Sequence, residues 1–307
     1  MQDHDIVRVQ GGYNHGKMMN DLDLMQQAYP EMGVIHIGRS VLGRSIPAVR
    51  IGTGPREIHF NGAFHANEWI TTLLLMVFME RVLQASHSKT PLDGMDIEKV
   101  LKEITLWIVP MVNPDGVELV QYGFLADNNP YYRAVLEANK GSTNFQNWKA
   151  NIRGVDLNDQ FPAYWEEEYR RRDTDGPAPL NFPGPFPLSE PEAQAMANFT
   201  LEHDFELVIA FHTQGEEIYW GYRKLEPPES KNIVRQFEKV SGYKAIQYVD
   251  SDAGYKDWFI YQCQRPGFTV ECGKGQNPLP VKQFWSIWPK VKNIMLASML
   301  FVQEFNG

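Results

Sequence analysis

The chain has 307 residues, 43% of them hydrophobic and 22% charged, the balance of an ordinary globular protein with a sizeable core. Its formal charge of −9 argues against nucleic acid or an anionic membrane as the main partner. Two cysteines, Cys263 and Cys272, exclude a disulfide framework and read as quiet core thiols.

Residues 1–5 are polar and acidic, without the basic and apolar regions of a signal peptide. The longest apolar run, residues 70–79, is too short to span a bilayer. The default expectation is a cytoplasmic protein. A chain trimmed of its leader would look the same, which leaves secretion or cell-wall association open.

Residues 14–29 read as an amphipathic helix, with Met18, Met19, Leu22, Met25 and Ala28 at helical spacing, ended by Pro30. Residues 33–37 and 46–51 are short strands on either side of a turn, and residues 57–61 form the next strand. A long helix runs from Asn67 to about Leu83, and residues 92–102 suggest a second. Residues 104–109 are an almost wholly apolar strand of the kind buried on both faces. Asn113-Pro-Asp-Gly116 then turns the chain.

Residues 123–188 are rich in Tyr, Trp, Asn and Pro and suggest an ordered wall around a site. Within them, residues 152–158 read as a short strand with polar residues at its end. Glu166-Glu-Glu168 and Arg170-Arg-Arg172 read as a solvated helix face. Residues 189–203 are a helix with Ser189 and Glu192 placed as a capping box. Residues 205–211 form a buried strand ending at His212. Helices are expected over 228–240, 254–262 and 280–305, and a strand over 268–270 with Glu271 at its end. No internal repeat or linker-like segment interrupts the chain, so residues 1–307 are expected to form one catalytic domain. Strands alternating with helices imply an open, mixed but largely parallel twisted sheet of about eight strands with helices on both faces.

In such a sheet the site lies beyond the carboxyl ends of the strands. There the sequence presents His65, Glu68 and His212, two imidazoles and a carboxylate. That is the ligand set of a catalytic zinc that keeps a position open for water. Glu271 is placed to take a proton from that water. Arg153 is expected to supply a cation for the oxyanion formed when a carbonyl is attacked. His36, His59 and His203 read as structural.

These motifs resemble the zinc metallocarboxypeptidases, the carboxypeptidase A-like family. His65-Ala-Asn-Glu68, Asn113-Pro-Asp-Gly116, His212 after an apolar strand and Phe268-Thr-Val-Glu271 match that family's motifs in order, over about residues 10–305. The resemblance implies one Zn2+ per chain held by His65, Glu68 and His212, with Glu271 as general base. It also implies that Asp156 accepts a hydrogen bond from a ligand histidine and fixes its tautomer.

Two departures bear on substrate. The family's Asn-Arg, which clamps a terminal carboxylate, is replaced by Asn158-Asp159. A bidentate grip is lost, and an anion that favours an ammonium group stands in its place. Lys256 falls where the family sets side-chain specificity, and a lysine there attracts a carboxylate. An anion and a cation together suit diaminopimelic acid. The stretches around residues 154–162 and 212–220 also resemble bacterial γ-D-glutamyl-diaminopimelate endopeptidases. The expected substrate is therefore a peptidoglycan stem peptide or muropeptide, without an obligate protein partner. Gln214 and Glu217 are further candidate pocket groups. The mobile tyrosine of the family falls on Tyr248 or Tyr255. The rival expectations are a conventional carboxypeptidase or N-acyl amino acid hydrolase on the same fold, and an inactive protein that binds peptidoglycan fragments.

Overall fold

The computed structural model describes residues 5–124 and 129–304. Residues 1–4, on which the leaderless expectation partly rests, and residue 305, the expected end of the last helix, lie outside the described residues.

The strands are β1 (Gly33–Arg39), β2 (Ser45–Gly52), β3 (Arg56–Gly62), β4 (Ile104–Val109), β5 (Phe205–His212), β6 (Glu217–Tyr219), β7 (Lys244–Ile246) and β8 (Gly267–Glu271). They form an eight-stranded sheet in the order β1-β2-β4-β3-β5-β8-β6-β7. The four central strands, β4-β3-β5-β8, all run parallel. Antiparallel pairs are confined to the flanks: β1 on β2, β2 on β4, and β6 on β8. This agrees with the open, largely parallel mixed sheet implied by the sequence. β6 and β7 have three residues each, too short to leave a period-two signal.

The helices are α1 (His15–Ala28), α2 (Ile70–Ser88), α3 (Ile97–Glu103), α4 (Pro114–Tyr122), α5 (Tyr132–Ala138), α6 (Trp165–Arg171), α7 (Pro191–Glu202), α8 (Ser230–Ser241), α9 (Tyr255–Cys263) and α10 (Phe284–Glu304). Side chains of the central strands alternate between two cores. Ile58, Phe60, Ile108, Ile209 and Val270 pack with α1, α2, α3, α4, α8 and α10. Val109, Val208 and Ala210 pack with α7 and α9 on the other face. Ten successive residues at the start of α2, Ile70 to Met79, are all buried, which is why the helix shows as an apolar run rather than a stripe.

Several local expectations are corrected. Asn113 does more than begin a turn. Its side chain accepts from Gly116 N (3.0 Å) and caps α4, with Pro114 at the first helical position. Residues 152–158 are not a strand but bends leading into a 3-10 turn over Leu157–Asp159, because Asp156 caps that turn through Asn158 N. Ser189 is not half of a capping box. α7 starts at Pro191, and the Ser189 hydroxyl donates to Gln160 and Glu190 instead. The face of α6 is not fully solvated either. Glu168 is buried and ion-paired with Arg171 and Arg172, two partners that lie one helical turn away.

Candidate metal centre and active site

The carboxyl ends of β3, β5 and β8 lie side by side at one edge of the sheet. β3 ends at Gly62, where a Cβ would meet Thr71 Oγ1 at 2.9 Å and Leu75 Cδ1 at 3.0 Å, so glycine lets α2 pack against the strand end. The chain then rises through His65 into a 3-10 turn, Ala66–Glu68, that leads into α2. Thr71 locks the turn, accepting from Ala63 N at 2.9 Å and donating to Glu68 O at 2.8 Å. Asn113 ties the turn to its neighbour, its amide donating to Phe64 O and to Ala150 O, both at 3.1 Å. His212 and Glu271 are the last residues of β5 and β8 and stand opposite each other in parallel register.

His65, Glu68 and His212 meet there, each offering a ligand atom within 4.8 Å of the others. His65 Nδ1 lies 2.9 Å from Glu68 Oε1 and 3.2 Å from His212 Nδ1, and His212 Nδ1 lies 3.0 Å from Glu68 Oε2. Two imidazole nitrogens and a carboxylate thus face one point, an arrangement that needs a shared cation or proton. Burial opposes a charge on His65, yet the Glu68 and Asp156 carboxylates outweigh it and hold its pKa up at about 10. Burial also opposes the Glu68 charge, but His65 and His212 hold its pKa below the usual range. His212 itself is pushed down by burial.

The second ring nitrogen of His65, Nε2, lies 3.1 Å from Asp156 Oδ1. A donor on that side leaves the Nδ1 lone pair aimed at the cluster. His212 has no such partner on Nε2 among the described residues, and its ring is stacked on Phe64 instead. Glu271 is half-buried on the adjacent strand. Its pKa is pushed up to about 8 by burial and by the Glu68 charge.

Other candidates sit differently from the sequence expectation. The Arg153 guanidinium does not turn to the ligand cluster. Its Nη1 is 3.6 Å from Glu190 Oε2, and its Nε faces Tyr131 Oη at 3.4 Å. The cation beside the ligands is Lys149, with Nζ 3.9 Å from Glu68 Oε1. A lone lysine in an aromatic loop gave no spacing signal. Its position after Trp148, four residues before Arg153, was the available clue.

Asp159 is buried and not free. Arg172 Nη2 donates to its Oδ1 at 2.7 Å, while Oδ2 has no partner among the described residues. Burial, with Asp156 nearby, pushes its pKa up to about 7. Lys256 does not present its charge to a pocket. It is buried in an ion pair with Asp257 and donates to Gly221 O at 2.9 Å. Asn158 Oδ1 accepts from Tyr255 N at 3.2 Å, leaving the amide nitrogen uncommitted among the described residues. Neither tyrosine reaches the cluster. Tyr248 is exposed and donates to Glu226 at 2.6 Å, and Tyr255 is fully buried against Thr200. Glu217 stands opposite Glu271 across β6–β8 and accepts from Tyr219 Oη at 2.9 Å. Gln214 is exposed and accepts from Gly275 N at 3.3 Å.

A two-histidine, one-carboxylate cluster at the strand ends of an open α/β sheet, with a carboxylate alongside, defines a metal-dependent hydrolase. The sequence pattern of the zinc carboxypeptidases matches residues 18–293. The gamma-D-glutamyl-L-diamino acid endopeptidase 1 of Lysinibacillus sphaericus is 48% identical over 294 residues, 96% of this chain and 74% of that protein. Thrombin activatable fibrinolysis inhibitor superposes with a TM-score of 0.73 at 17% identity, covering 98% of this chain and 77% of that one. Carboxypeptidase A from Helicoverpa armigera gives 0.71 at 19% identity, covering 99% and 78%. The chain belongs to the zinc carboxypeptidase family. It is a zinc metallopeptidase, and the donor set of two imidazoles and a carboxylate fits that metal. No helix among the described residues is long and apolar enough to cross a membrane.

Proposed function

We propose that this enzyme hydrolyses the γ-D-glutamyl–diaminopimelate amide bond of peptidoglycan stem peptides. The observation that carries the reading is the 48% identity, over 96% of the chain, to a γ-D-glutamyl-L-diamino acid endopeptidase. A complete ligand and base set argues against an inactive binding protein.

His65, Glu68 and His212 hold the zinc, which when bound polarises the scissile carbonyl and acidifies the attacking water. Asp156 keeps His65 in the ligating tautomer. Glu271 takes a proton from water as its oxygen adds to the carbonyl carbon, and returns it to the nitrogen as the C–N bond breaks. The products are a carboxylate and an amine. On the leaving side, Asn158 offers an uncommitted amide. The Asp159–Arg172 pair lies one 3-10 turn beyond Asp156, and a diaminopimelate end group would bind there by exchanging partners with it, its ammonium to Asp159 and its carboxylate to Arg172. This pair takes the part the sequence suggested for Asp159 with Lys256, since the Arg172 side chain is 26% exposed whereas Lys256 is buried against Asp257.

The test is hydrolysis of L-Ala-γ-D-Glu-meso-diaminopimelate against blocked dipeptides ending in Phe or Lys. Turnover of the blocked dipeptides alone would overturn the substrate assignment. One observation favours a second reading, a carboxypeptidase that requires a terminal carboxylate. Arg172 brings a guanidinium beside Asp159, where the Asn-Asp motif itself lacks one. Amidating the carboxyl next to the scissile bond separates the two readings, since only the second predicts that cleavage stops.

A further inference from the structure

We infer that Lys149, rather than Arg153, is the catalytic residue that stabilises the negative charge building on the scissile carbonyl oxygen. Three observations carry this. The Lys149 ammonium lies 3.9 Å from Glu68 Oε1, so it stands at the rim of the ligand cluster. Its side chain is 33% exposed while that of Glu68 is 1% exposed, so a substrate can reach the ammonium. Among the described residues Nζ has no hydrogen-bonding partner, and its three N–H donors are uncommitted.

The backbone holds that placement. Ala66 N donates to Lys149 O at 2.9 Å, and Lys149 N donates to Pro179 O at 2.8 Å. The Asn113 amide reaches Lys149 O at 3.4 Å. The lysine is thereby fastened to the same turn that carries His65 and Glu68. Its nearest charged neighbour is the Glu68 carboxylate. An ammonium held in place with free donors costs little reorganisation when the carbonyl oxygen acquires charge. Arg153 is held away by Glu190 and Tyr131.

The experiment compares Lys149→Met, Lys149→Arg and Arg153→Met with the wild type. The readouts are kcat, KM, zinc content by elemental analysis, and affinity for a phosphinic peptide that bears a tetrahedral anion at the scissile position. Losing one donor to a developing oxyanion costs roughly 100- to 1,000-fold in kcat, so Lys149→Met is expected to fall by that factor. Its KM should stay within about threefold, its zinc content should be full, and its phosphinic affinity should drop with kcat. Lys149→Arg should retain more activity than Lys149→Met, and Arg153→Met should resemble wild type. Loss of zinc from Lys149→Met would overturn the assignment in favour of a lysine that only offsets the Glu68 charge. An effect on KM alone, or a kcat loss carried by Arg153→Met, would overturn it as well. Should the wild type leave the diaminopimelate peptide intact, the same variants are read on whichever blocked dipeptide it cleaves. Failure of the substrate assignment then stays distinct from failure of this one.

Discussion

The metal-ligand cluster and the Asp159–Arg172 region beside it are built on different principles. His65 and Glu68 follow β3, His212 ends β5 and Glu271 ends β8, so their convergence is set by parallel register between neighbouring strands. The Asp159–Arg172 region comes from loops. Asp159 meets Arg172 thirteen residues on, and the Arg171–Asp252 pair ties α6 to the loop before α9. A sheet edge tolerates little variation, whereas ion pairs between loops can exchange partners without disturbing the core. The cluster is thus fixed by the sheet, while the Asp159–Arg172 side rests on loop ion pairs, the kind of region where binding specificity varies.

Variants that break the sheet-built half should have the largest effects. Glu68→Gln removes one of three ligands and leaves His65 and His212 without their shared anion. Zinc content and hydrolysis should both collapse, measured by elemental analysis and peptide turnover. Glu271→Gln should keep its zinc yet lose roughly 100- to 10,000-fold in kcat, because a general base is missing while the metal stays. Asp156→Asn should lower zinc affinity by about 10- to 100-fold, measured by competition with a chelator, through loss of the His65 tautomer.

A fourth prediction uses pH. In the metal-free protein the Glu68 and Asp156 carboxylates hold the His65 pKa up at about 10, and burial with the Glu68 charge pushes that of Glu271 up to about 8. Zinc must displace the His65 proton, so below pH 10 its affinity should rise about tenfold per pH unit. The zinc charge also pulls the Glu271 pKa below its metal-free value. Activity should therefore rise with pH through an acid limb centred below about 8, since the base acts deprotonated. A pH-independent zinc affinity would contradict the coupled cluster.

The smallest effects belong to the loop-built half. Asp159→Asn and Arg172→Met should each shift the preference between peptides ending in diaminopimelate and in lysine. In a double-mutant cycle their effects should be non-additive, because the residues share one ion pair. Lys256→Met with Asp257→Asn should leave that preference unchanged if the pair is structural, and a large shift would return Lys256 to the pocket.

Much of the first half was legible from residues alone. An apolar strand followed by His65-Ala-Asn-Glu68, another followed by His212 and a third ending at Glu271 bring the candidate ligands and Glu271 together, because strand ends in an open sheet converge by geometry. Side chains that lie elsewhere than expected do so for one physical cause. Arg153 is expected from the sequence to supply a cation for the oxyanion, but the loop carries its side chain to Tyr131 and Glu190. Lys256 and the α6 charges were read as free, since the sequence does not show that Asp257, Asp159 and Asp252 neutralise them.

The sequence by itself therefore determined the fold class and the candidate metal set, both of which depend on periodicity and on residues at strand termini. Only the tertiary structure decided which cations serve the site. A charge acts through space, and which lysine or arginine stands beside a carboxylate depends on loops whose course no local pattern encodes. The arginine missing after Asn158 shows the difference: its nearest counterpart, Arg172, arrives from the end of α6 and is already paired to the aspartate that replaced it.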